Sequence, residues 1–76
     1  MKIEILGTGC IKCKALEINV QEAIKKIGGF HSIVKVEDPI EIINYGVMST
    51  PGLVVDGEVK SSGKLLSVDE ILDILK

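Results

Sequence analysis

The chain has 76 residues, a formal net charge of −2 and nine basic residues, all of them lysine. A chain this short forms one domain, residues 1–76, and buries only about 60% of the surface its unfolded form exposes. The charge balance excludes a basic nucleic-acid surface, and no apolar run approaches the roughly 20 residues that a membrane-spanning helix needs. Aromatic residues are limited to Phe30 and Tyr45, so the core must be built from Ile, Val and Leu. The N-terminal Met1-Lys2-Ile3-Glu4 enters a strand pattern directly, with an acidic residue that a signal peptide would lack. A cytoplasmic protein is therefore expected. There, two closely spaced cysteines serve catalysis or metal binding more often than structural stapling.

Lys2 to Leu6 reads as a short strand, and Gly7-Thr8-Gly9 as a turn with a freed backbone. From about Cys10 to Ile27, apolar residues at helical spacing (Leu16, Val20, Ala23, Ile24, Ile27) predict a helix with one buried face. Lys25 and Lys26 suit its negative end, and Gly28-Gly29 terminates it. A second strand is predicted between Phe30 and Glu37, centred on Ile33 to Val36. Asp38-Pro39-Ile40-Glu41 has the residues of a helix start, and Gly46 ends that brief helix after Tyr45. Thr50-Pro51-Gly52 leads into Leu53-Val54-Val55, an apolar run suited to a strand buried on both faces. Asp56-Gly57 predicts a two-residue hairpin turn. The return strand, Glu58 to Ser61, has one apolar residue and two charges and reads as an exposed edge. Ser67 and Glu70 form a capping box for a last helix, with Leu66 and Ile71 as a hydrophobic staple and Val68, Ile71, Leu72 and Leu75 as its apolar stripe. The order is β-α-β-α-β-β-α. The expectation is an α/β fold with a four-stranded mixed sheet, in which strands linked through helices pair in parallel and the hairpin adds an antiparallel strand.

Both cysteines lie in Cys10-Ile11-Lys12-Cys13, at the handover from the first strand to the first helix. A sulfur at a helix start lies near unpaired N–H groups and the positive end of the dipole, and Lys12 and Lys14 add positive charge. In such motifs a cysteine pKa falls to about 3.5–7.5 from about 8.5, and the thiolate is the nucleophile. Cys13, one turn on, is in reach to attack a mixed disulfide formed by Cys10. Two thiolates at this spacing equally suit a soft metal ion, and two buried cysteines can also serve simply as small hydrophobes.

The Cys-x-x-Cys at a strand-to-helix corner, followed by Thr50-Pro51 before a core strand, resembles the thioredoxin-like superfamily. The likeness is to its small, glutaredoxin-sized members of archaeal and bacterial type, whose minimal fold has this element order over nearly the whole chain. The resemblance implies a thiol–disulfide oxidoreductase in which Cys10 attacks and Cys13 resolves. It implies a cis Thr50–Pro51 bond facing the cysteines, with Thr50 offering backbone hydrogen bonds to an extended substrate segment. Gly63 would let the chain pass close by and complete the substrate groove, which Ile11 and Met48 would line. In the family a buried carboxylate stands six residues before the first cysteine, the position of Glu4, which would accept the Cys13 proton, with Lys35 on the next strand. The plainer reading, which the sequence favours, makes Glu4 and Lys35 surface charges at a strand rim.

The motif departs from thioredoxins in its Ile-Lys dipeptide and in having no tryptophan before Cys10, so the reduction potential does not carry over. Lys12 occupies the slot that tunes it. A rival reading is a soft-metal chaperone of ferredoxin-like fold, but that fold ends on a strand and carries a methionine where this chain has Thr8. A structural zinc site would need four ligands, and His31, the lone histidine, reads as a solvated loop residue. A redox-sensitive interaction module is the third reading. No cofactor or metal is required by the oxidoreductase reading. Its partners are protein or small-molecule disulfides and an upstream disulfide reductase or low-molecular-weight thiol, without nucleic acid or membrane, and the chain is expected to act as a monomer. In the reduced protein, Cys10 is expected to alkylate faster than Cys13 near neutral pH. Equal rates, read by mass spectrometry of partly alkylated protein, would argue against an activated thiolate.

Overall fold

A computed structural model describes residues 1–29 and 31–75. Phe30, the expected start of the second strand, lies outside the described residues. The order is β1 (Lys2–Leu6), α1 (Ile11–Ile27), β2 (Ser32–Val36), α2 (Pro39–Asn44), β3 (Gly52–Val55), β4 (Glu58–Ser62) and α3 (Val68–Leu75). The strands form one mixed sheet in the order β2-β1-β3-β4, the α/β architecture expected of a minimal thioredoxin fold.

Alternation along the strands divides the core between the two faces of the sheet. On one face Ile3, Ile5, Leu53 and Val55 pack against Leu16, Val20 and Ala23 of α1 and against Leu66, Ile71 and Leu75 around α3. On the other, Leu6, Val36 and Val54 pack against Ile42 of α2 and against Val47. Ile24 only flanks the core and Ile27 is exposed, because the far end of α1 outruns the five-residue strands it covers.

Parallel pairing holds for β1 and β2, with Lys2 opposite Ser32 and Leu6 opposite Val36. It fails for the next connection, since β3 runs antiparallel to β1. Helix length explains the difference. The 17 residues of α1 rise about 25 Å, enough to return along a strand of about 16 Å, whereas the six residues of α2 rise only about 9 Å. The chain therefore re-enters the sheet at the end where β2 left it. The ends of β1 and β2 and the start of β3 all meet there, with Leu6 opposite both Val36 and Gly52.

Local sequence sets the turns and caps. Asp56 and Gly57 both have positive φ (50° and 84°), the geometry of a tight hairpin turn matched to strand twist. The Asp56 carboxylate also accepts from Lys2 N at 2.7 Å. In β4 the register slips between Leu53 and Val54, which leaves Lys60 as an extra residue on the exposed edge, a bulge that discourages pairing with another sheet. The Asp38 carboxylate caps α2 by accepting from Ile40 N at 2.9 Å. At α3, Ser67 Oγ accepts from Glu70 N at 3.2 Å and a Glu70 oxygen accepts from Ser67 N at 3.0 Å, the reciprocal pair of a capping box.

Glu70 also pairs with Lys64 at 2.8 Å. The Lys64 ammonium, then the Ser67 N–H, lower its pKa from 4.5 to about 2. Its contribution to stability is therefore complete above pH 4.5 and is lost as the pH falls toward about 2. Glu70→Gln is expected to lower the melting temperature at neutral pH, with the difference from wild type closing on acidification toward about pH 2. A gap that stays constant across this range would rule out the pairing.

Candidate active site

Gly7-Thr8-Gly9 carries the chain from β1 to α1, with Gly9 at φ 86°, a conformation open to glycine at little cost. Cys10 is the N-cap of α1, with extended backbone (φ −68°, ψ 166°). Its Sγ accepts from Cys13 N at 3.1 Å, the bond an N-cap oxygen usually makes. No acidic residue stands in the first turn, so the positive end of the helix dipole is unopposed, and Lys12 and Lys14 reinforce it. Cys10 and Cys13 are joined as a disulfide with Cα atoms 5.0 Å apart. The two sulfurs differ in access: Cys10 is exposed, whereas the Cys13 residue is 5% exposed.

Cys13 can sit this deep because of Gly7, a residue the sequence reading treated only as part of a turn. A Cβ added at Gly7 would collide with Cys13 Sγ and would lie 3.0 Å from Cys13 Cβ. The same position is 3.9 Å from Thr50 Cβ, so the end of β1, the buried cysteine and the Thr50–Pro51 segment meet at one point. The Thr50–Pro51 peptide is cis. Pro51 is fully buried, and Thr50 is exposed.

Gly63 lies across this segment. Its N–H donates to Pro51 O at 2.8 Å, its φ is 69°, and a Cβ there would stand 2.8 Å from Ser49 Cβ. Gly63 thus passes close to Ser49 and Pro51. Between the cysteines the surface is bare, with Ile11 88% exposed and Lys12 exposed as well; Met48, two residues before Thr50, is 90% exposed.

The strand-rim reading is corrected for Glu4 and holds for Lys35, which is exposed. Glu4 is buried, at 6% exposure, and lies on the α2 side of the sheet. One oxygen accepts from Tyr45 Oη at 2.7 Å, and Lys2 Nζ is 3.6 Å from the other. The Glu4 carboxylate, through that hydrogen bond first and with burial next, raises the Tyr45 pKa above its ordinary 10.0. Lys35 sits in register with Ile5, one residue out of step with Glu4, and so faces the opposite side, where it pairs with Glu17 at 3.2 Å. The sheet therefore separates Glu4 from both Lys35 and the face that carries Cys13. His31 is half-buried, with Nε2 2.8 Å from Gly28 O, and is not the solvated residue expected.

A thioredoxin domain model matches residues 1–76. The chain belongs to the thioredoxin family. A thioredoxin of Methanothermobacter thermautotrophicus is 44% identical over 75 residues, covering 99% of this chain and 97% of that protein. A thioredoxin of Methanocaldococcus jannaschii is 43% identical over 74 residues, covering 97% of this chain and 85% of that protein. With the Cys10–Cys13 pair at disulfide distance, this membership makes the chain a thiol–disulfide oxidoreductase. The ferredoxin-like chaperone reading does not survive, since a second helix, α2, stands between β2 and β3 in a sheet ordered β2-β1-β3-β4, which is the thioredoxin arrangement. No helix among the described residues is long and apolar enough to cross a membrane.

Gly63→Ala is expected to cost about 1–3 kcal/mol in urea unfolding, from the positive φ and the collision with Ser49. Adding Ser49→Gly should recover part of the loss, the part due to the collision. A fully stable Gly63→Ala protein would show that the close approach is not obligatory.

Proposed function

We propose that Cys10 is the attacking thiolate and Cys13 the resolving thiol in the reduction of disulfides, and that Thr50, Pro51, Ile11, Lys12 and Gly63 form the substrate contact. The observation that carries this is the asymmetry between the two sulfurs: one exposed at the N-cap of α1, the other buried a turn behind it.

The exposed Cys10 thiolate attacks a substrate disulfide, forms a mixed disulfide and releases one substrate thiolate. Cys13, as thiolate, then attacks Cys10 Sγ. The Cys10–Cys13 disulfide forms, the intermolecular bond breaks, and its electron pair leaves on the second substrate sulfur. The dithiol has lost two electrons and the substrate has gained them. An upstream disulfide reductase or a low-molecular-weight thiol returns the pair to the dithiol.

An extended substrate segment fits alongside Thr50 by main-chain hydrogen bonding in the manner of strand addition, with the exposed Ile11 and Met48 as apolar flanks. The same reading has the chain working as a monomer in the cytoplasm on protein disulfides.

Insulin reduction with dithiothreitol tests the activity, and two variants test the roles. Cys10→Ser should abolish acceleration over reductant alone. Cys13→Ser should accumulate a mixed disulfide visible by mass spectrometry. Full activity in the Cys10 variant would reverse the assignment.

A further inference from the structure

Resolution requires Cys13 to lose a proton, and its burial works against ionisation of a thiol. The family resemblance points to Glu4 as acceptor, but Glu4 lies across the sheet and is engaged by Tyr45 at 2.7 Å. On Cys13's own side a cleft of about 250 Å³ opens between α1 and β2, lined by Gly7, Cys13, Lys14, Glu17, Lys35 and Glu37, among others. It has room for water. Glu17 stands one helical turn beyond Cys13, at the i+4 spacing that puts both on one face of α1. Its side chain is only 19% exposed, and Lys35 Nζ holds it at 3.2 Å. The other charged groups on this cleft are Lys14 from α1 and Glu37 just beyond β2.

We propose that Glu17, positioned by Lys35, accepts the proton of Cys13 Sγ through water in this cleft during resolution of the mixed disulfide. The proton passes to the Glu17 carboxylate, the freed sulfur attacks Cys10 Sγ, and the departing substrate sulfur carries off the electron pair. Glu17 afterwards releases the proton to solvent through the open side of the cleft. This inference rests on the assignment of Cys10 and Cys13 above.

Ellman's reagent separates the two steps, since attack by Cys10 releases one coloured thiolate and resolution by Cys13 releases the second. In Glu17→Gln the first phase should match wild type, and the second should slow about a hundredfold near neutral pH, the low end of general acid–base contributions. The deficit should close at alkaline pH, where hydroxide removes the proton directly. Glu17→Asp should recover part of the rate, and Glu4→Gln should leave both phases unchanged. A purely electrostatic role predicts the opposite sign, because Lys35 freed of its partner would favour the Cys13 thiolate and speed the second phase. An unchanged or faster second phase, a deficit equal at every pH, or a deficit in Glu4→Gln instead would overturn the inference. A wild-type protein with no second phase would overturn the roles of the two cysteines, and this inference with them.

Discussion

The sulfur of Cys13 fills the space that a side chain at residue 7 would need, and the active end of the molecule is arranged around that close approach. The apolar face of α1, Leu16, Val20 and Ala23, clamps the helix onto Ile3, Ile5 and Leu53. That packing fixes where the helix starts relative to the end of β1. With the buried cysteine docked on a bare backbone, the N-cap residue is necessarily the outer one, and it is Cys10. Burying the inner sulfur and exposing the outer one are two results of one packing arrangement.

The two-residue period of β1 decides which charges can communicate. Ile3 and Ile5 point to α1, so Glu4 and Leu6 must point to α2. Glu4 is thereby a buried carboxylate on the side away from the cysteines. Its desolvation is offset by the Tyr45 hydroxyl and by Lys2 at the strand start, a paired arrangement of the kind that buried charges require. The Tyr45 bond also ties the end of α2 to the middle strand, so the short helix is anchored by a polar contact as well as by Ile42.

What could be read from the sequence was local. The Ser67–Glu70 box, the Asp38 cap, the Asp56-Gly57 turn and the Cys-x-x-Cys corner each lie within a few residues of chain, and each forms as its spacing dictates. What could not be read depends on which strand lies beside which. The antiparallel entry of β3 follows from the rise of α2, a length that propensity does not deliver with confidence at helix ends. The true partner of Lys35 depends on register: a one-residue step between Glu4 and Ile5 moves a side chain to the other face. The tightness at Gly7 involves a residue six positions along the chain and the three-dimensional angle between strand and helix. Glu17 had a detectable signal in its i+4 spacing from Cys13, but the resemblance pointed toward Glu4.

The hydrogen bond from Gly63 N to Pro51 O closes the β3–β4 hairpin into a single clip at its open end. The two cysteines belong to the first third of the chain, and the clip with Thr50 and Gly63 belongs to the second half. The electron-carrying part and the proposed recognition part thus share a sheet but no local sequence. The buried residues of that stretch, Leu53 and Val55, pack on α1 and help hold the corner, whereas exposed positions such as Met48 and Thr50 are free to shape what docks beside it.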